Sequence, residues 1–216
     1  MDMTAISVRQ LIAPTTEEVD RVSAVFAKAF WNDPFLVAAA NGDPSVYHAF
    51  MKAHVAAAAI AGEVWIASRG DTEIAGAATW FQPGRIFLDS EEQHKAGYDG
   101  LEHIFGPEKW NWFSEYLAPR YNKMCADALG PETRTQERFL HIFGVHPDHQ
   151  GQGVGSSLIK AGETKASAEG SDVVLETGTP QNLAMYQRWG YVVKGQQHFE
   201  SPHGEWDMWV LRKHLK

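Results

Sequence analysis

Arg138 to Ala161 reads RFLHIFGVHPDHQGQGVGSSLIKA, and the plan of the chain turns on it. An apolar run, Phe139 to Val145, leads into His146-Pro147-Asp148-His149, then Gln150-Gly-Gln-Gly-Val-Gly155, then residues at helical spacing. The order predicts strand, turn, glycine loop and helix. Glycines at 151, 153 and 155 leave the loop backbone bare, so consecutive N–H groups can turn toward one anion. A helix opening near Gly153 adds unpaired amides and the positive end of its dipole. Such a loop suits phosphate. Gly155-Ser156-Ser157 lacks the lysine of a Walker loop, and Ser156 stands where a dinucleotide fingerprint needs its third glycine.

The 216 residues suit one domain, spanning 1–216. Hydrophobic residues make up 44% of the chain, enough for a sizeable core, and eight tryptophans leave aromatic surface to line a ligand site. The formal net charge of -8 argues against nucleic acid or an anionic membrane as partner. A cationic amine would find this field congenial. Cys125 is the only cysteine, so no internal disulfide forms. Met1 to Gln10 has neither a basic start nor a long apolar run, and no stretch reaches the ~20 apolar residues of a membrane span. The expectation is a soluble cytoplasmic protein.

Taken in order, Ser7–Ile12 alternates as a first strand. Thr15 or Thr16 caps a helix that runs to Phe30 and stops at Trp31-Asn-Asp-Pro34. A second helix runs from Asp43-Pro44 to Ala61. Glu63–Ser68 and Glu73–Phe81 form a hairpin about Arg69-Gly-Asp-Thr72. Residues 85–137 hold helical stretches near 90–105 and 107–128 and many aromatics, which predicts a helical insertion between the third and fourth strands. After the glycine-loop helix come the strand Val173–Thr177, a helix from Pro180 to Trp189, and a closing hairpin around Ser201–Gly204. The fold class is α/β: a mixed, mostly antiparallel central sheet flanked by helices.

Three stretches then stand in order: Gly144-Val-His-Pro with Gln150–Gly155; Val174-Leu-Glu-Thr177; and Asn182, Tyr186 and Gly190-Tyr191. Together they resemble the Gcn5-related N-acetyltransferase (GNAT) superfamily, whose ligand is acetyl-coenzyme A. Leu175-Glu-Thr with the aromatic insertion looks most like the puromycin-acetyltransferase-like branch. The likeness is strong over about 138–195 and only architectural before it. It implies an acyltransferase in which a small, aromatic or drug-like primary amine attacks the thioester directly, without a metal. A non-catalytic acyl-coenzyme-A binder, or an enzyme acting on a protein or peptide amine, is the alternative. Monomer and homodimer both remain open.

By that resemblance, pantetheine lies beside Phe143, Gly144 and Val145 as an extra strand would. The pyrophosphate sits on the amides of Gln150, Gly151, Gln152, Gly153, Val154, Gly155 and Ser156, and Asn182 reaches the cofactor. Tyr186 contacts the cofactor and protonates the departing thiolate. An incoming ammonium needs a base. His141 is the first candidate, sharing a face with Phe139 and Phe143; the other reading is a hydrogen-bonded core histidine. Glu176 is the rival base, or else a structural carboxylate. His141, His146 and His149 are spaced by five and three residues across a strand and a turn, which converges poorly on a metal. Candidate acceptor-binding residues are Phe30, Trp31, Asp33, Trp80, Trp110, Trp112 and Tyr116. Asp33 receives the cationic amine or serves only in a helix-stop turn, and the insertion's aromatics wall the pocket or pack the insertion down.

Overall fold

A computed structural model describes residues 5–70, 73–130 and 133–215. Seven strands lie in the order β1-β2-β3-β4-β5-β7-β6: β1 (Ile6–Leu11), β2 (Glu63–Arg69), β3 (Glu73–Phe81), β4 (Arg138–Val145), β5 (Val173–Thr177), β6 (Val192–Ser201) and β7 (Gly204–Lys213). Among the described residues only β4 and β5 run parallel, and every other pair is antiparallel. The mixed, mostly antiparallel sheet is as expected. The tip of the first hairpin, residues 71–72, lies outside the described residues.

Local chemistry starts the helices where the sequence predicts. Thr15 caps α1 (Thr16–Ala29): its hydroxyl accepts from Glu18 N–H while the Glu18 carboxylate reaches back to Thr15 N–H at 2.9 Å. The expected stop at 31–34 also opens a further short helix, α2 (Pro34–Ala39), with Pro34 in its first turn. Asp43 caps a single 3₁₀ turn before α3 (Tyr47–Ala61). Helices α1 and α3 bury Val22, Phe26, Phe50 and Val55 on one face of the sheet.

The insertion between β3 and β4 holds α4 (Glu91–Gln93), α5 (Leu101–Phe105), α6 (Pro107–Asn111), α7 (Ala118–Leu129) and α8 (Thr133–Gln136), with π-turns at His94–Tyr98 and Trp112–Leu117. Lys109 ties it to Asp43 ahead of α3 at 2.8 Å. Helix α7 presses on β6 so closely that a Cβ on Gly195 would lie 2.5 Å from Ala128 Cβ. The insertion thus roofs one end of the sheet, from α3 across to the closing hairpin.

The opposite face is covered by α9 (Val154–Glu169) and α10 (Pro180–Arg188), which pack Leu158, Ile159 and Tyr186 against Leu140 and Leu175. Trp80 is fully buried here against α9; a Cβ on Gly162 would meet its ring at 2.2 Å. Beneath it Arg138, fully buried, binds Glu63 and Glu169, the latter at 2.8 Å.

Two departures from regular pairing make room for a site. The β3–β4 register shifts between Thr79, opposite Ile142, and Trp80, opposite Leu140, which leaves His141 bulged. The bulge breaks the expected alternation. His141 keeps its place beside Phe139, with ring centroids 5.6 Å apart, but Phe143 swings to the α9 side. Second, β4 pairs with β5 only from Arg138 to Leu140, so the strands splay beyond that point and Val145 ends without a β5 partner.

Candidate active site

The splay opens a groove of about 690 Å³ between β4, the glycine loop, the end of α1 and the start of α10. Phe143, Gly144 and Val145 form one wall, and Gln150, Gly151, Gly153, Gly155 and Ser156 form its end. Gly151 and Gly153 stand at φ 70° and 84°, conformations that a side chain would strain. Gly153 opens α9 with no side chain capping it, so the amides of Val154, Gly155 and Ser156 have no intrahelical acceptor. Those free donors and the helix dipole face the groove end, as an anion-binding loop requires. Gly155 is also a packing requirement: a Cβ there would lie 2.8 Å from the Phe143 ring.

Two loop side chains do not face the groove. Gln152 turns back to donate to Asp148 O at 2.9 Å and accepts from Arg69, while Val154 is buried in the α9 core. Their part in holding a ligand is confined to the backbone. Trp31, half exposed and edge-on to Tyr47 at 5.6 Å, lines this groove and not the inner cavity. Across from β4, Thr179 caps α10 by accepting from Asn182 N–H at 3.2 Å, and the Asn182 side chain faces both spaces.

An inner cavity of about 560 Å³ continues from the groove under the insertion. Phe30, Asp33, Phe143 and Asn182 line both spaces and so form the throat. Asp33 caps α2, its Oδ1 accepting from Phe35 and Leu36 N–H at 3.0 and 3.1 Å. It has no cationic partner among the described residues. Burial raises its pKa to about 6 despite those two amides. Tyr186 lines the inner cavity next to the throat, and burial pushes its phenol up, so it stays protonated.

His141 meets a partner that sequence reading did not supply. His54 Nδ1 and His141 Nε2 share one hydrogen at 2.9 Å, and both rings stack on Phe87 at 4.4 Å. The outer nitrogens, His54 Nε2 and His141 Nδ1, are buried without a partner. Burial lowers the pKa of His54 to about 3 and holds His141 well below the usual imidazole range. The pair is therefore neutral, and neither nitrogen of His141 is open to the cavity.

Glu176 also lines the inner cavity, where it is heavily engaged. It accepts from the Tyr121 hydroxyl at 2.8 Å and the Cys125 thiol at 3.2 Å, and pairs with Arg134 at 3.8 Å. Arg134 also donates to Tyr121 and lies 4.4 Å over the Phe139 ring. Burial first, and Glu176 second, push the Tyr121 and Cys125 pKa values up, so both remain protonated donors. The structural-carboxylate reading of Glu176 fits these contacts.

Four of the expected acceptor-site aromatics lie elsewhere. Trp80 belongs to the α9 face, which it shares with Ala78 two residues before it, while Ala77 and Phe81 point to the other face. Trp110 packs on Tyr98 and Phe113, and Trp112 stacks with Tyr116, which carries Arg120 over its ring. The insertion offers Tyr98, Phe113 and Tyr121 to the cavity instead. Helical periodicity within 85–137 could have indicated which aromatics share a face, but two π-turns shift that phase. His146 and His149 stay at the groove mouth beside Asp148 and Glu73, away from His141.

Residues 121–193 match the family model described as the acetyltransferase (GNAT) domain. Among solved structures, the Drosophila melanogaster polyamine N-acetyltransferase, an enzyme that forms N-acetylagmatine, aligns with a TM-score of 0.64 at 15% identity, covering 98% of this chain and all of that one (100%). The Aedes aegypti arylalkylamine N-acetyltransferase 2 aligns at 0.62 and 16% identity, covering 98% and 99%. A Corynebacterium glutamicum protein described as histone acetyltransferase HPA2 and related acetyltransferase aligns at 0.62 and 23%, covering 95% of each chain. The fold is that of the GNAT acetyltransferases.

Proposed function

We propose that this chain, with its GNAT fold, is an acetyl-coenzyme-A-dependent N-acetyltransferase acting on a small amine with an aromatic or otherwise apolar body. The observation that carries the reading is the throat, where a groove ending in free amides meets a mostly apolar cavity at Asp33, Phe143 and Asn182. The similar structures named for polyamine and arylalkylamine substrates support an amine acceptor. The puromycin-acetyltransferase-like branch rests on Leu175-Glu-Thr177 and the aromatic insertion.

The diphosphate lies on the loop amides, and the pantetheine arm follows the open side of β4. The acceptor's ammonium enters at Asp33 and gives up a proton there. Asp33 suits the task better than the histidine pair. Burial holds both imidazoles far below an alkylammonium near ~10, so a proton climbs further to reach them than to reach a carboxyl at about 6. The neutral nitrogen attacks the thioester carbonyl. A backbone N–H near Val145 stabilises the oxyanion, a contact worth about 3 kcal/mol. Collapse breaks the C–S bond. Tyr186 protonates the thiolate and recovers a proton from the nitrogen, which leaves as the amide.

Purified protein incubated with acetyl-coenzyme A and a panel of arylalkylamines, aminonucleosides, polyamines and amino acids yields an acetylated amine by mass spectrometry; no product from any of them defeats the proposal. Tyr186→Phe lowers kcat about 10- to 100-fold without weakening acetyl-coenzyme A binding. An unchanged kcat would remove Tyr186 from the acid role.

A further inference from the structure

We infer that the acceptor is a monoamine, and that Arg134 makes it so by cancelling Glu176 and leaving Asp33 as the one free charge of the inner cavity. The inference rests on the acetyl-transfer reading and adds the charge class of its substrate. Among the described lining residues, Asp33, Arg134 and Glu176 carry formal charge. Asp33 stands at the throat with its Oδ1 on two backbone amides and no cation beside it. A partly buried carboxylate without a counter-ion carries a desolvation cost, and an incoming ammonium supplies one. Its position beside the groove puts that ammonium at the transfer point.

The rest of the cavity wall offers a second ammonium no free negative charge. Arg134 sits 3.8 Å from Glu176, whose oxygens already accept from Tyr121 and Cys125. The guanidinium would also repel a second cation. His54 and His141 share a single hydrogen and face each other as neutral rings beneath Phe87. His94, at the rim, faces Asp99 at 3.5 Å. What remains is mostly apolar, led by the rings of Phe50, Phe87, Tyr98 and Phe113, and its other polar groups, Asn122, Thr177 and Asn182, are uncharged. A diamine of the same reach would bury its distal charge against these rings and an arginine. An arylalkyl monoamine would bury a ring there.

The test compares 2-phenylethylamine with putrescine and agmatine, following thiol release from acetyl-coenzyme A. The wild-type enzyme favours the monoamine in kcat/KM by on the order of 100-fold. Arg134→Met uncovers Glu176 and cuts that preference about tenfold, mainly by raising diamine kcat/KM. Arg134→Lys retains the preference. The double variant Arg134→Met with Glu176→Gln, neutral at both positions, restores it, which separates charge from packing. Calorimetric binding of the same amines to the coenzyme A complex reads the preference without turnover, and circular dichroism confirms that each variant is folded. Diamines that bind and react as well as the monoamine in the wild type overturn the inference, as does an Arg134→Met preference equal to wild type. If no amine is acetylated, the catalytic reading falls while the binding series still decides the charge class.

Discussion

At the residue scale, the chemistry of the throat depends on how burial treats similar groups differently. Asp33 and Glu176 are both enclosed carboxylates, but only Glu176 has an arginine. Asp33 therefore titrates near neutrality, with a folded value of about 6 above its ordinary carboxylate value. The sign follows: the ionised form, which the proposed mechanism needs to receive an ammonium, is lost as pH falls through 6. The acid limb of kcat/KM should lie near pH 6, and Asp33→Asn should abolish that limb and lower kcat/KM about 100-fold or more. The same raised value means that ionising Asp33 costs folding stability, a cost absent below pH 4 and complete above 6. Asparagine retains the cap, so Asp33→Asn should melt no lower than wild type at pH 7.5 and show no gain at pH 4. A limb that persists in Asp33→Asn would return the base to another group.

At the element scale, two glycines on α9 serve different ends. Gly155 lets the first turn of α9 approach Phe143, a wall of the groove, while Gly162 admits the buried Trp80. Gly155→Ala should push on Phe143 and weaken acetyl-coenzyme A binding about tenfold, measured by calorimetry. Gly162→Ala should leave that affinity alone but overpack the core by about 1–3 kcal/mol, lowering Tm by about 2–4 °C for each kcal/mol. Equal effects of the two variants on affinity would show that α9 moves as a rigid unit. The elements were largely foreseeable: the cap at Thr15, Pro180 in the first turn of α10, the glycine loop and period-two strands are signals within a few residues, whereas the Thr179 cap emerged only with the fold. The short α2 was not, because Asn32-Asp33-Pro34 reads equally as the end of one helix and the start of the next.

At the scale of the whole molecule, Asp172 joins the parallel part of the sheet to the closing hairpin. It accepts from Leu215 N–H at 3.0 Å and Arg212 Nε at 2.8 Å, while its own carbonyl accepts from Arg138 N–H. Burial alone would raise its pKa, but the Leu215 amide and Arg212 bring it to about 2. A depressed carboxylate stabilises the fold above its unfolded value and loses that contribution as pH falls through the folded one. Stability should therefore drop between about pH 4 and pH 2. Asp172→Asn should lower Tm at pH 7 and converge with wild type near pH 2; parallel curves over that range would exclude the linkage.

Sequence by itself determined the features whose cause lies within one stretch of chain: the bare glycine loop opening onto a helix tip, the order of strands and helices, and an aromatic insertion. Tertiary structure alone decided the partners of the chemical groups. His54 meets His141 across 87 residues, and Glu176 meets Tyr121 across 55. The bulge at His141 and the splay of β4 from β5 are properties of strand pairing, which no single strand encodes. Charge, hydrogen bonding and burial at a site depend on what stands opposite. That is why Asp33 emerges as a free carboxylate and Trp80 as core only once the chain is folded.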